Sequence, residues 1–233
     1  MLLNLIKELQ GAKNLEQAKL LQRFFKTGKG EYGEGDVFLG LKVPVTREIA
    51  KRYNGLNLKS IELLLKSKVH EYRLAALLIL VEKFKNGGTR EKAEIFNFYI
   101  KNTERVNNWD LVDLTSHKIV GEFLKDKKRD KLYELSQSQN LWERRISIIS
   151  CFAFIKDQDF KDALKISEIL LKDAHDLIHK AVGWALREIG KKDIEELEKF
   201  LEKNYKEMPR TMLRYSIEKL SEEKRKAYLG GNV

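Results

Sequence analysis

EYRLAALLILV, residues 71–81, is the stretch that decides the fold. Its first turn is polar, whereas the residues from Leu74 onward are apolar on every side of a helix. A helix that is apolar nearly all round has to be packed between neighbours, because a surface helix keeps one polar face. The stretch therefore predicts an inner helix of an all-α protein.

The same pattern of a polar first turn and an apolar continuation returns along the chain. Five equivalent positions are separated by 37, 35, 35 and 34 residues: Arg73, Asp110, Arg145, Lys180 and Arg214. Regular repetition of helix pairs is typical of solenoid proteins, in which each repeat packs on the next. We therefore predict one domain over residues 1–233, a right-handed α-solenoid of HEAT-like helix pairs with a concave basic groove.

Hydrophobic periodicity predicts helix almost throughout and no convincing strand. The predicted helices run roughly over residues 2–11, 14–26, 44–53, 57–67, 70–86, 89–105, 108–124, 127–138, 141–156, 160–172, 175–190, 193–204, 209–220 and 221–228. Both prolines, Pro44 and Pro209, fall at the start of such segments, where proline suits a first helical turn.

One glycine-rich segment, at about residues 27–43, interrupts the helical pattern. It holds five of the fourteen glycines and matches GxGxxG by letter. No strand precedes these glycines and no helix starts at them, which argues against a dinucleotide site. We expect an ordered connector whose Tyr32, Phe38 and Leu39 pack on the first repeats; the alternative is that its glycine backbone approaches a phosphate chain.

The charge balance favours a polyanionic partner. Lys and Arg outnumber Asp and Glu by 45 to 35, which gives a net charge of +10 and a pI near 9.4. Nucleic acid, an anionic membrane surface and solubility alone remain open as explanations. No apolar run approaches the length of a membrane span, and the amphipathic N-terminus lacks the features of a signal peptide. The single cysteine, Cys151, is expected to be a buried, inert thiol in a reducing cytoplasm.

Two sets of polar residues are candidates for chemistry. Trp109 and Asp113 are four residues apart, so an indole and a carboxylate share one helix face beside an apolar stripe. An acid in that place has a buried partner or a role at a cleft, and local capping is the alternative. His175 and His179 have the i, i+4 spacing of zinc ligands, but the intervening acid is Asp and no third ligand is evident, so no metal is predicted.

The cations at helix starts suggest phosphate binding. Helix N-termini are positively polarised, and basic side chains repeated at one structural position would line a rim. The candidate contacts to a DNA backbone are Arg73, Lys180 and Arg214 of the repeat frame and Arg144, which adjoins Arg145. Ordinary polar residues at helix starts are the alternative interpretation, as core packing is for the tryptophans.

The order and spacing of five blocks resemble the AlkD-type DNA alkylation repair glycosylases, a family built of HEAT-like repeats. The blocks are YGEGDVFLGLKVP (32–44), NNWDLVD (107–113), LWERRISII (141–149), HDLIHKAVGWALREIGK (175–191) and MPRTMLRYSIEKL (208–220). In that family a Trp and an Asp four residues apart, an Arg in a later helix and a Trp in the next form the lesion cleft. The matching positions here are Trp109, Asp113, Arg145 and Trp184. The expanded Gly-Glu-Gly-Asp segment departs from the shorter Phe-Gly patterns usual in the family.

The resemblance implies hydrolysis of the N-glycosidic bond of a cationic N-alkylated purine, such as 3-methyladenine or 7-methylguanine, in duplex DNA during base excision repair. It implies Asp113 as the catalytic carboxylate, Trp109 and Trp184 against the deoxyribose, and Arg145 at a phosphate. No cofactor is expected, because a cationic base is already a good leaving group. The resemblance also implies an open groove without a deep pocket for a flipped base.

Two other functions remain open at this point. One is a non-catalytic solenoid that binds distorted or branched DNA, and the other is a protein-interaction scaffold with an apolar concave face. We expect a monomer without membrane contact, located in the cytoplasm and associated with the nucleoid.

Overall fold

The computed structural model describes residues 1–231. Within that range the chain is all-helical and forms no strand, although Val37 and Val69 make an isolated parallel bridge. No helix among these residues has both the length and the apolar character needed to cross a membrane. The chain divides into two compact units, the first covering Met1–Thr115 and the second starting at Ser116.

The first unit is built from the early helices of the chain. They are α1 (Leu2–Gly11), α2 (Leu15–Phe24), α3 (Val43–Lys51), α4 (Leu58–Leu65), α5 (His70–Asn86), α6 (Thr89–Lys101), a short 3₁₀ helix (Thr103–Arg105) and α7 (Trp109–Ser116). α5 packs against α3, α4 and α6, and its residues from His70 to Leu80 are all buried. The prediction of an inner helix at this stretch is confirmed.

The second unit contains the remaining helices. They are a π-helical turn (His117–Gly121), α8 (Glu122–Leu124), α9 (Asp130–Ser136), α10 (Leu141–Ser150), α11 (Phe152–Ile155), α12 (Lys161–Ile169), α13 (Asp176–Lys192), α14 (Ile194–Asn204), α15 (Arg210–Ser216) and α16 (Glu222–Gly230). α10 packs against α9 and α13, and α13 packs against α14 and α15. Close approach of α13 and α15 depends on Gly183, where a Cβ would lie 2.5 Å from the Tyr215 Cβ.

Every predicted helical segment contains helix in the structure, with differences of up to four residues at the ends. The segments predicted over residues 89–105 and 141–156 are each divided into two helices, with breaks at Asn102 and Cys151. The segment predicted over residues 108–124 contains the π-helical turn instead of continuous α-helix. At its end a Cβ on Gly121 would lie 2.3 Å from the Ser150 carbonyl oxygen, so only glycine allows α10 to come this close. Cys151 is fully buried as expected, and burial raises the pKa of its thiol.

Polar N-caps explain where several helices begin. Their side-chain oxygens accept hydrogen bonds from backbone N–H groups two or three residues later, which would otherwise lack a partner. These caps are Asn14, Asn57, Asn140, Asp193 and Ser221.

The glycine-rich connector is ordered and docked on the first unit, as expected. The Asn14 N–H donates to the Leu39 carbonyl at 2.9 Å, and the Val37 N–H donates to the Lys68 carbonyl at 2.9 Å. Phe38 is 6% exposed, so it belongs to the core. The connector thereby links the start of α2 to the start of α5.

Gly40 is the glycine on which this docking depends. Its φ is +89°, and a Cβ would lie 2.0 Å from the Asn14 carbonyl oxygen and 2.7 Å from the Ala18 nitrogen. Gly40→Ala should therefore lower the free energy of unfolding by about 3 kcal/mol or more, because strain and a backbone clash add together. Gly35, at φ +82° and with no atom within 4 Å of the place a Cβ would take, is the matched control, since Gly35→Ala adds only the strain of about 1 kcal/mol. Urea denaturation checks this, and equal losses in both variants would contradict it.

Candidate active site

Trp109 is the first residue of α7 and packs against two phenylalanines. These are Phe24, the last residue of α2, and Phe25, which follows it. Its ring stacks on Phe25 with centroids 5.0 Å apart and an interplanar angle of 8°. Phe24 meets the same indole edge-on at 5.9 Å. The Trp109 backbone N–H donates to the Asn108 side-chain oxygen at 2.8 Å. One face of the indole is therefore covered, and the half-buried ring has a fixed orientation.

The stack continues into the connector and α5. Phe38 lies 5.0 Å from Phe25 at 26°, and the imidazole of His70 lies 4.5 Å from Phe38 at 20°. Phe25, Phe38 and His70 are all buried. A continuous layer of rings thus joins Trp109 to the start of α5, and the glycine-rich segment supplies its middle member.

A buried network of charges lies beside this layer. The His70 Nε2 is 2.8 Å from an Asp110 carboxylate oxygen, and its Nδ1 is 3.4 Å from Asp36. The Arg73 guanidinium donates to the same Asp36 carboxylate at 2.6 Å and to the Ser67 carbonyl at 2.9 Å. Two carboxylates and two cations are therefore combined in the interior, where each charge needs a partner.

The network shifts the pKa values of its members. Burial lowers the pKa of His70, but the charge and hydrogen bond of Asp110 and the hydrogen bond of Asp36 outweigh it and raise the value to about 9. Burial raises the pKa of Asp36, yet His70 and Arg73 bring it below its usual value. His70 is consequently an imidazolium at neutral pH, and it ties the first turn of α7 to α5 and the connector.

Glu71 fixes the connector from the next position of α5. Its carboxylate accepts hydrogen bonds from the backbone N–H groups of Leu39, Gly40 and Leu41 at 2.9, 2.8 and 3.1 Å. The side chain is 1% exposed. This carboxylate occupies the anion-binding backbone that the glycine-rich sequence suggested for a phosphate.

Asp113 lies one turn after Trp109 on the same side of α7 and is half-buried. Behind it, the Tyr99 and Thr115 hydroxyls are 3.0 Å apart, and the Thr115 hydroxyl donates to the Leu111 carbonyl at 2.5 Å. Burial raises the pKa of Tyr99, and the charge of Asp113 contributes to the increase. Asp113 is thus held on a helix that is braced on its buried side.

The second unit holds Arg145 on α10 and Trp184 on α13. Arg145 is 5% exposed and donates to the Leu177 carbonyl oxygen. Trp184 is half-buried, meets Phe152 edge-on at 4.5 Å and donates from Nε1 to Glu188 at 3.2 Å. Both side chains are oriented by neighbours within their own unit.

The four basic residues expected on a DNA backbone differ in their surroundings. Arg73 is 3% exposed and bonded within the network, so its guanidinium stabilises the first unit rather than facing solvent. Arg144 pairs with Asp173 at 2.6 Å and also donates to two carbonyl groups. Lys180 pairs with Asp176 at 2.7 Å, but its side chain is 40% exposed against 20% for Arg144, and Arg214 is exposed. Lys180 and Arg214 are therefore the two of the four whose placement suits contact with a phosphate.

The two histidines with the spacing of zinc ligands each bond to a backbone group. The His175 Nδ1 accepts the Leu177 N–H at 3.1 Å and so caps α13, and His179 contacts the Asp173 carbonyl. Burial lowers the pKa of His175. Among residues 1–231, no three His, Cys, Asp or Glu side chains are grouped so that they could hold a metal ion.

Sequence reasoning missed the residues that hold Trp109. Asp36, Phe25 and His70 were not singled out, and Asp110 was recognised only as a member of the repeat. Their partners are 34 or more residues away along the chain, beyond the range of helical periodicity. The one sequence feature that could have indicated this network was the charged first turn of α5, which precedes an apolar stretch.

Comparisons with solved structures show the fold. A protein described as a predicted DNA alkylation repair enzyme from Enterococcus faecalis superposes with a TM-score of 0.69 at 18% identity, over 90% of this chain and 97% of that one. AlkD2 from Streptococcus mutans gives 0.58 at 19% identity, over 89% and 98% of the two chains. The protein smu.31 from Streptococcus mutans UA159 gives 0.55 at 20% identity, over 86% and 96%. The all-helical repeat fold expected from the sequence is confirmed.

The family is shown by a match over most of the sequence. No curated protein matches the chain. The family model for DNA alkylation repair enzymes, however, matches residues 5–220. The chain therefore belongs to the DNA alkylation repair enzyme family.

Proposed function

We propose that this protein is a DNA glycosylase that hydrolyses the N-glycosidic bond of cationic N-alkylated purines, of the 3-methyladenine and 7-methylguanine type, in duplex DNA. The observation that carries the proposal is the pair formed by Trp109 and Asp113 on one side of a firmly held helix, in a member of a DNA alkylation repair family. The reaction would begin base excision repair.

The chemistry requires little beyond a carboxylate. An N-alkylated purine carries a positive charge, so it takes the electrons of the breaking C1′–N bond and leaves as a neutral base without a general acid. Positive charge then develops on the deoxyribose, and a carboxylate stabilises it electrostatically. Water adds its oxygen to C1′ and gives up a proton to the surrounding solvent. Asp113 would stabilise the sugar cation and orient that water.

The other three residues have binding roles in this proposal. Trp109 and Trp184 would pack against the deoxyribose, because an indole face excludes water and favours a positively charged sugar. Arg145, which is 5% exposed and donates from one guanidinium nitrogen to the Leu177 carbonyl, would hold a phosphate next to the lesion through its remaining N–H groups. The net charge of +10 suits duplex DNA as partner. We further propose that the protein acts as a monomer in the cytoplasm, associated with the nucleoid.

The test is release of free base from methylated duplex DNA. Wild-type protein is incubated with a duplex treated with a methylating agent and with the same duplex untreated, and released purines are separated by chromatography. We expect 3-methyladenine or 7-methylguanine from the first substrate and no purine from the second.

Binding measured on the same two duplexes separates the alternatives. Salt-sensitive binding without base release would favour a non-catalytic DNA-binding protein. Absence of both would favour a protein-interaction scaffold. Either result would overturn the glycosylase proposal.

A further inference from the structure

The last repeat contains an open cleft of about 530 Å³ between α13, α15 and α16. Arginines from two helices line it, namely Arg210 and Arg214 on α15 and Arg225 on α16. Two of them are four residues apart on one helix, where like charges repel. A cleft that keeps three guanidinium groups together is suited to an anion.

The acidic residues of the cleft do not neutralise these arginines. Asp176 pairs with Lys180 at 2.7 Å, and this lysine is the main cause of the lowered pKa of Asp176. Glu218 pairs with Arg187 and with Lys219, both of which lie outside the lining of the cleft. The carboxylates are therefore balanced by other cations, and the charge of the three arginines remains.

The three arginines differ in how firmly they are held. Arg210 donates to the Leu229 carbonyl at 2.7 Å, which fixes its guanidinium but leaves its charge uncompensated. Arg214 and Arg225 are exposed, and neither side chain makes a hydrogen bond or ion pair with any residue that the structure describes. Planar guanidinium groups of this kind match the geometry of phosphate oxygens.

We propose that this cleft binds the phosphodiester backbone of duplex DNA and that Arg214 and Arg225 contact the phosphate oxygens, with Arg210 supplying fixed positive charge. The inference rests on the proposed function for the identity of the polyanion and adds a binding subsite to it. Arg210 and Arg225 are outside the repeat frame that singled out Arg214. The cleft also has an apolar wall at Ile217 and Leu229, against which a deoxyribose fits better than a free phosphate ion.

The experiment measures the salt dependence of duplex binding. Fluorescence anisotropy on one undamaged duplex between about 50 and 200 mM salt gives the slope of log K against log salt, which reports the number of phosphates neutralised. Arg225→Gln and Arg214→Gln should each reduce that slope by about one, and the double variant by about two. Lys226→Gln is the matched control, because this exposed lysine of α16 pairs with Glu222 and does not line the cleft.

The results that would contradict the cleft proposal can be distinguished from those that would contradict the proposed function. The proposal for the cleft would be overturned if both arginine variants gave the same slope as Lys226→Gln. It would also be overturned if the wild type did not bind the duplex. Methylpurine release by the wild type with unchanged slopes would leave the glycosylase proposal standing without this subsite. Reduced slopes without methylpurine release would support the cleft and sink the glycosylase. Thermal unfolding of each variant verifies that it is folded.

Discussion

Replacing Asp113 with asparagine should lower the rate of methylpurine release from saturating methylated duplex at least about 100-fold, the scale seen when one electrostatic contact to a transition state is removed. Asparagine has nearly the same shape and keeps a carbonyl oxygen, but it carries no negative charge. The sugar cation therefore loses its stabilisation while the ground-state contacts remain. The measurement is single-turnover base release followed by chromatography.

Two controls make this result specific to the charge of Asp113. Asp126→Asn removes an exposed carboxylate from the segment after α8 and should leave release unchanged. Asp113→Asn itself should bind the duplex at least as tightly as the wild type, because removing a negative charge near DNA does not weaken phosphate binding. Equal release by Asp113→Asn and the wild type would remove Asp113 from the mechanism.

Substituting His70 with glutamine should destabilise the protein by about 3 kcal/mol or more, the usual effect of breaking a buried charge pair. His70 is 2% exposed and lies between Asp110 and Asp36. Glutamine can donate a hydrogen bond to one of them but supplies no charge, so Asp110 would lose the cation with which it pairs, while Asp36 keeps Arg73. Urea denaturation at pH 6.5 measures the loss.

The same substitution should remove a pH dependence of stability. Folding raises the pKa of His70 from 6.5 to about 9, so its contribution is complete below pH 6.5 and is lost as the pH rises through 9. The shift corresponds to about 3 kcal/mol between these limits. The stability of the wild type should therefore fall more steeply from pH 6.5 to 9 than that of His70→Gln. Parallel curves for the two proteins would show that His70 is not charged in the folded state.

This network also explains what the glycine-rich segment does. Asp36 brings its charge to His70 and Arg73, Phe38 enters the ring layer beneath Trp109, and Glu71 holds the backbone at Leu39 to Leu41. The connector therefore supports the helix that carries the proposed catalytic residue. Its glycines allow the tight backbone path, as the φ of +89° at Gly40 illustrates.

The sequence by itself determined the helices and their order. Apolar residues at helical spacing and asparagine, aspartate or serine caps act within a few residues of one another, so local physics is enough to place α5 or α13. The repeat frame and the blocks around Trp109, Asp113 and Trp184 also predicted the family. That Trp109, Asp113 and Trp184 lie in one cleft with Arg145 stays a prediction.

Only the tertiary structure determined which cationic side chains are buried in ion pairs and which are exposed. Arg73 and Arg214 are equivalent in the repeat, yet the first is buried against Asp36 and the second is exposed in a cleft with Arg225. Arg73 and its carboxylate are 37 positions apart in the chain. Periodicity describes one helix at a time, whereas the partner of a charge is chosen by packing between helices, which places remote segments in contact.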